Sequence, residues 1–213
     1  MQVVEKFVSI NGEGEKAGEA SVFIRFKGCN LDCEYCDTTW VNKPDCEYEE
    51  MDAGALIDYV LETGIYNVTV TGGEPLLQKD MVGFISDLCD THKKSVEIET
   101  NGSIDIKPFT EIDNCSVTMD YKLPTSGCED MMHTDNFGYL RSCDTVKFVV
   151  GSRDDLECAA GILQEYQLTD RCYIYFSPVF DKIKPKDIAE FIIERKLNHV
   201  RLQLQLHKYI GMK

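Results

Sequence analysis

Hydrophobic positions along this chain switch repeatedly between a period of two and a period near 3.6. Residues 21–26 (Ser-Val-Phe-Ile-Arg-Phe) read as a strand, and residues 3–10 alternate in the same way, so the two predict a hairpin across the glycine-containing stretch 11–18. Apolar residues at helical spacing (Ala55, Leu56, Tyr59, Val60) then lead to a short buried strand at 67–71. Met81, Phe84, Ile85 and Leu88 repeat the helical spacing before a strand at 96–100. Further strands are expected at 116–121, 146–150, 173–176 and 200–204, with helices at 154–166 and 186–195. Pro185 suits the first turn of the last of these helices.

Strand and helix in alternation predict a parallel sheet covered by helices. About six such strands are too few to close an eight-stranded barrel. The expected fold is therefore α/β: an open, partial parallel β/α barrel with an N-terminal hairpin extension. No repeat, low-complexity tract or linker divides residues 1–213, which read as one domain. In such sheets ligands collect beyond the carboxyl ends of the strands. Cys29, Gly72, Asn101, Lys122 and Ser177 each follow a predicted strand, so one rim carries most of the unusual residues.

A formal net charge of −15 argues against a nucleic-acid partner, which needs clustered Lys and Arg. No apolar run has the length of a membrane span, and Met1-Gln2-Val3-Val4-Glu5-Lys6 has no signal-peptide pattern, so the expected location is the cytoplasm. The 10 cysteines are dispersed, which does not fit a secreted disulfide framework. Cys89, Cys115, Cys143, Cys158 and Cys172 fall in or beside apolar segments and are expected to be buried free thiols, with Cys46 and Cys128 in loops.

Three cysteines stand apart. Cys29, Cys33 and Cys36 are separated by three residues and then two, a spacing that lets one loop wrap an iron–sulfur cluster or a zinc ion. Three ligands leave one position open, as a reactive centre requires and a closed structural zinc site does not. Tyr35 precedes the last cysteine, and Thr71-Gly72-Gly73-Glu74-Pro75 follows about one βα unit later. This pairing resembles the radical S-adenosylmethionine (SAM) enzymes, and the resemblance implies a [4Fe–4S] cluster on the three cysteines with SAM on its fourth iron. It also implies the partial barrel already expected, and it places Tyr35 against the adenine.

Narrower features are Asn11-Gly12-Glu13-Gly14, Arg25, Asp37-Thr38 after Cys36, and Leu202-Gln203-Leu204-Gln205-Leu206-His207-Lys208. Together these are similar to the 7-carboxy-7-deazaguanine synthase family of the queuosine and 7-deazapurine pathway. The resemblance implies conversion of 6-carboxy-5,6,7,8-tetrahydropterin to 7-carboxy-7-deazaguanine with loss of ammonia, dependent on Mg²⁺, with SAM regenerated. It implies a homodimer and an electron donor such as flavodoxin or ferredoxin. It assigns Cys29, Cys33 and Cys36 to the cluster, Thr38 to Mg²⁺, and Gly73, Asp120, Tyr121 and Lys122 to SAM. Ile10, Asn11, Gly12, Arg25, Thr71 and His207 fall to the pterin, and no residue is singled out as a catalytic acid or base.

Two positions depart from the family pattern: Asn11 stands where Gln is common, and Asp120-Tyr121-Lys122 replaces Ser-Pro-Lys. The second resembles the Asp-x-Lys of glycyl-radical activating enzymes, which leaves an activase as one alternative and a non-catalytic zinc-binding module as another. Glu97 and Glu99 share a strand face, open either to ligand or to solvent, and Glu13 and Gly14 read equally as a turn. Arg25, among Phe23, Ile24 and Phe26, lies in a run expected to be buried on both faces, so its guanidinium must reach a partner or the barrel lumen.

Overall fold

The computed structural model describes residues 1–212. The predicted hairpin is formed by β1 (Gln2–Ile10) and β2 (Ala20–Phe26), and the two-residue β3 (Glu49–Glu50) pairs antiparallel with the outer edge of β1. From β2 the sheet continues in parallel through β4 (Asn67–Gly72), β5 (Ser95–Thr100), β6 (Cys115–Tyr121), β7 (Thr145–Val150), β8 (Tyr173–Pro178) and β9 (Val200–Leu202). The order β3-β1-β2-β4-β5-β6-β7-β8-β9 never joins β9 back to the hairpin, so the barrel is open. Seven parallel strands are present among the described residues, because β2 itself belongs to the parallel set beside the six that follow it.

Helices α1 (Ala53–Glu62), α2 (Met81–Ser86), α3 (Lys107–Thr110), α4 (Arg153–Tyr166), α5 (Pro185–Glu194) and α6 (Leu206–Ile210) complete the chain order. The longer ones start where the sequence provides caps. Asp52 accepts a hydrogen bond from the Ala55 N–H at 2.8 Å, Ser152 accepts from Asp155 N–H at 3.1 Å, and Pro185 occupies the first turn of α5. Helix α2 runs into a π turn at Asp87–Thr91, which ends the regular spacing after Ser86. The last strand stops at Leu202 rather than 204, and α6 follows it.

Strand alternation sorts residues to two faces. Val22, Ile24 and Phe26, Val68 and Val70, Val96 and Ile98, Val117 and Met119, Val146 and Phe148, and Ile174 and Phe176 are buried in the core beneath the helices. The other face of β2 is not core, as the sequence suggested, but the wall of a cavity lined by Phe23 and Arg25. Around that wall the register aligns Arg25 with Thr71, Thr69 with Glu97, Glu99 with Thr118, Asp120 with Lys147, Lys147 with Tyr175, and Tyr175 with Arg201. The lumen is thus a polar belt inside an apolar shell.

Cys143, expected to be buried, is exposed, in the turn where Arg141 and Asp144 pair, while Cys128 lies in a loop as expected and is buried there. Cys89 and Cys115 are buried as anticipated, and Cys46, Cys158 and Cys172 are half-buried.

Candidate active site

The cluster loop, the Gly-Gly-Glu-Pro turn, the 11–18 loop and the segment after β9 meet over one cavity of about 520 Å³. Ile10, Asn11, Gly12, Arg25, Cys29, Cys33, Cys36, Thr38, Thr71, Gly73, Asp120, Lys122 and His207 all line it. Tyr121 does not. Its ring points to the opposite face of β6, stacked 5.4 Å from Phe137 and tilted against Phe148 at 5.7 Å, so only its backbone can serve a ligand.

Glu74 fixes the turn. Completely buried, it accepts from Leu76 N–H at 3.0 Å, Asn101 N–H at 2.7 Å and the Thr100 hydroxyl at 2.9 Å, tying the end of β4 to the end of β5. Gly73 lies so close to the cluster loop that a Cβ there would be 2.2 Å from the Gly28 carbonyl oxygen. Only glycine permits that approach. Asn101 continues the tie: its amide donates to Cys29 Sγ at 3.5 Å and to Asn30 Oδ1 at 3.1 Å, and Leu31 N–H donates to the same sulfur at 3.4 Å.

Those N–H···S contacts suit a thiolate ligand. Burial raises the Cys29 thiol against their pull, and burial pushes Cys33 up to about 12 despite Lys122. Both would give up protons on taking a metal centre. Among the described residues no three His, Cys, Asp or Glu side chains gather as around a single ion, so the sulfurs are spread along the loop rather than converged on a point. Beside them, Asp120 Oδ1 and the Tyr35 hydroxyl are buried without a partner, and both residues line the cavity. Three thiols and two unpaired polar atoms at one wall fit a cluster with a polar, amine-bearing ligand next to it.

Arg25 reaches the lumen beside its cross-strand partner Glu5, with Nε 3.2 Å from Oε2. Asn11 is turned into the floor, donating to Glu97 Oε2 at 2.9 Å, while its backbone N–H and carbonyl close the 11–18 loop against Glu19 and Gly18. Gly12 accommodates His207: a Cβ on Gly12 would lie 2.1 Å from Nδ1, and Leu206 N–H donates to the Gly12 carbonyl at 3.0 Å. Thr38 Oγ1 is 3.6 Å from Cys36 Sγ.

Some site residues stand open in the sequence, and Lys147 is not singled out there at all. Glu13 is no mere turn residue: its Oε2 is 3.0 Å from the ammonium of Lys147, which is also 3.7 Å from Asp120 Oδ2. Asp120 Oδ2 in turn lies 3.0 Å from Lys122 Nζ. Burial works against the Lys147 proton, yet Glu13, Asp120 and Glu99 together hold its pKa well above 10.5. Glu97 and Glu99 both face inward, toward Asn11 and Thr118 and toward Thr71 respectively. Burial outweighs the pull of Lys147 and, helped by Glu97 and Glu13, pushes the Glu99 carboxyl up to about 7. Phe7 and Phe23 stack at 5.2 Å with an interplanar angle of 8° and add a flat apolar wall. A lysine between Val146 and Phe148 carried the same signal as Arg25, a charge inside an apolar run.

The Radical SAM superfamily profile matches residues 23–120, which hold the cysteine loop and the Gly-Gly-Glu-Pro turn. Among solved structures, QueE from Escherichia coli shares the fold with a TM-score of 0.78 at 24% identity, covering 97% of this chain and 94% of that one. SuiB from Streptococcus suis, bound to S-adenosylmethionine, superposes with a TM-score of 0.59 at 11% identity, over 83% of this chain and 45% of its own. A 7-carboxy-7-deazaguanine synthase from Methanospirillum hungatei is 39% identical over 100% of this chain and 86% of its own length. One from Clostridium acetobutylicum is 51% identical over 98% of this chain and 95% of its own. Similarity of that extent takes in the hairpin, the lumen belt and the segment around His207 together, and on it the chain belongs to the 7-carboxy-7-deazaguanine synthase family of radical SAM enzymes.

Proposed function

We propose that this chain converts 6-carboxy-5,6,7,8-tetrahydropterin to 7-carboxy-7-deazaguanine with release of ammonia. The observation that carries this reading is the meeting, over one cavity, of the three-cysteine loop with Arg25, the 11–18 loop and His207. Neither an activase nor a zinc module accounts for that second set of residues, and the family membership favours neither.

Cys29, Cys33 and Cys36 would hold the [4Fe–4S] cluster, and Gly73, Asp120 and Lys122 would hold SAM, with the backbone of Tyr121 between them. Bound there, cluster and SAM supply the radical that takes hydrogen from the pterin. The chain's own work is placement and charge. Asp120 offers its unpaired Oδ1 to an ammonium or ribose hydroxyl, oriented by Lys122 through Oδ2. Arg25 grips the pterin carboxylate through its fork, and Glu5 fixes the direction of that fork. Ile10, Asn11, Gly12, Thr71 and His207, which line the cavity, border the pterin. Thr38 would bind Mg²⁺, a hard cation that takes a hydroxyl oxygen together with substrate oxygens.

A homodimer, reduced by a flavodoxin- or ferredoxin-type donor in the cytoplasm, completes the proposal. Among the described residues no helix is long and apolar enough to cross a membrane. The test is anaerobic turnover of reconstituted protein with SAM, a reductant, Mg²⁺ and carboxytetrahydropterin, followed by mass spectrometry. Formation of carboxydeazaguanine with ammonia is expected, and cleavage of SAM without consumption of the pterin would overturn the reading.

A further inference from the structure

Lys147 projects from the middle of β7 into the lumen, and its side chain is 12% exposed. Four charges form a continuous chain across the cavity: Glu13 to Lys147 at 3.0 Å, Lys147 to Asp120 at 3.7 Å, and Asp120 to Lys122 at 3.0 Å. Two acids and two bases sum to zero. The other lumen acids leave no positive charge to spare. Glu97 is hydrogen-bonded at the floor only by the neutral Asn11 amide and Thr118 hydroxyl, and Glu99 accepts from Thr71 while burial favours its neutral form. Arg25 is matched by Glu5.

We infer that Lys147 is a positioning residue that determines ligand specificity by charge: it braces Glu13 and Asp120 and keeps the lumen neutral enough to admit a carboxylate-bearing substrate. This rests on the proposed reading of the substrate as an anionic pterin. Without Lys147, the same four positions would present an excess of one negative charge to an anion in a chain whose net charge is already −15. SAM responds in the opposite sense. Its ammonium and sulfonium outnumber its carboxylate, so a more negative lumen does not repel it. A residue that merely held the fold together would affect both ligands alike.

Calorimetric titration of the anaerobic, cluster-loaded protein separates these cases, with SAM titrated first and the pterin then titrated at saturating SAM. For Lys147→Met, the pterin Kd should rise roughly ten- to thirtyfold, the size of one unit charge acting across a partly buried lumen. The SAM Kd should stay the same or fall. Lys147→Arg, which keeps the charge, should retain pterin affinity. Glu13→Gln combined with Lys147→Met returns the four-residue sum to zero and should bring the pterin Kd back to within about threefold of the parent. Should Lys147→Met fail to load its cluster, the Arg variant and the double variant carry the comparison with the parent. Equal weakening of both ligands, or no recovery in the double variant, would overturn the inference. A parent that binds SAM but no pterin would overturn the proposed function instead, and a raised SAM Kd in Lys147→Met would still refute the charge argument.

Discussion

Glu99 offers a sharp test of the lumen's electrostatics, because one atom changed for another isolates its charge. Its carboxyl, hydrogen-bonded to the Thr71 hydroxyl at 2.7 Å, is pushed by burial from the usual 4.5 to about 7. Below pH 4.5 the group is protonated in both the folded and the unfolded chain and contributes nothing to the pH dependence. Between 4.5 and about 7 the folded chain keeps a proton that the unfolded chain gives up, so stability falls as pH rises. At about 1.36 kcal/mol per pH unit the loss is ~3 kcal/mol once pH exceeds 7. Glu99→Gln keeps the acceptor for Thr71 and removes the titration. Urea denaturation of the cluster-free chain at a series of pH values should therefore show the parent losing ~3 kcal/mol relative to the variant between pH 4.5 and 7.5. Parallel curves for parent and variant would refute the reasoning and show that Lys147 keeps Glu99 ionised throughout.

Other substitutions probe the rest of the site. Glu74→Ala strands the Thr100 hydroxyl and two buried N–H groups, so a loss of ~3–5 kcal/mol and a melting temperature lower by roughly 10 °C are expected in thermal denaturation; an unchanged melting point would contradict the role given to this carboxylate. Gly73→Ala should displace the cluster loop, because its Cβ would meet the Gly28 carbonyl at 2.2 Å; loss of cluster absorbance with unaltered far-UV circular dichroism is the expected signature. Arg25→Ala should weaken pterin binding by ~1.5–3 kcal/mol in calorimetry and leave SAM nearly untouched, whereas equal losses would make it a brace for the loop. Thr38→Ala should blunt the Mg²⁺ response of turnover with the cluster spectrum intact, and an unaltered metal titration would remove Thr38 from the metal site.

The strands were legible because β-branched and aromatic residues alternate or run together between glycine and polar breaks, and a parallel sheet buries one such face under helices. Arg25 is legible as a charge among apolar neighbours; Lys147 carries the same mark, but no motif stands beside it to single it out. Glu13, Glu97 and Glu99 were ambiguous for a physical reason: period two places residues on a common face, but it does not say whether that face meets water or a lumen. Tyr121 shows the limit from the other side. Alternation within Asp120-Tyr121-Lys122 sends its ring to the core while its neighbours face the cavity, so a three-residue motif cannot serve as three side chains. Cys143 departs from its expected burial because thiol burial follows local loop packing, which neighbouring hydropathy does not encode.

The 11–18 loop has a consequence for the order of folding. Each parallel strand pairs with the next one in its own neighbourhood of the chain, so most of the sheet can zip forward through short-range steps. The loop works differently: Glu13 finds Lys147 134 residues away, Glu15 finds Tyr175 160 residues away, and Arg201 closes on Glu15 across 186. Such closures are entropically unfavourable until the strands that carry the partners already stand in place. The cysteine loop and the Gly-Gly-Glu-Pro turn can therefore assemble on a half-built sheet, while the substrate floor must be the last part to set. It should also be the first to loosen, so amides of the 11–18 loop are expected to exchange with deuterium ahead of those in β4 and β5.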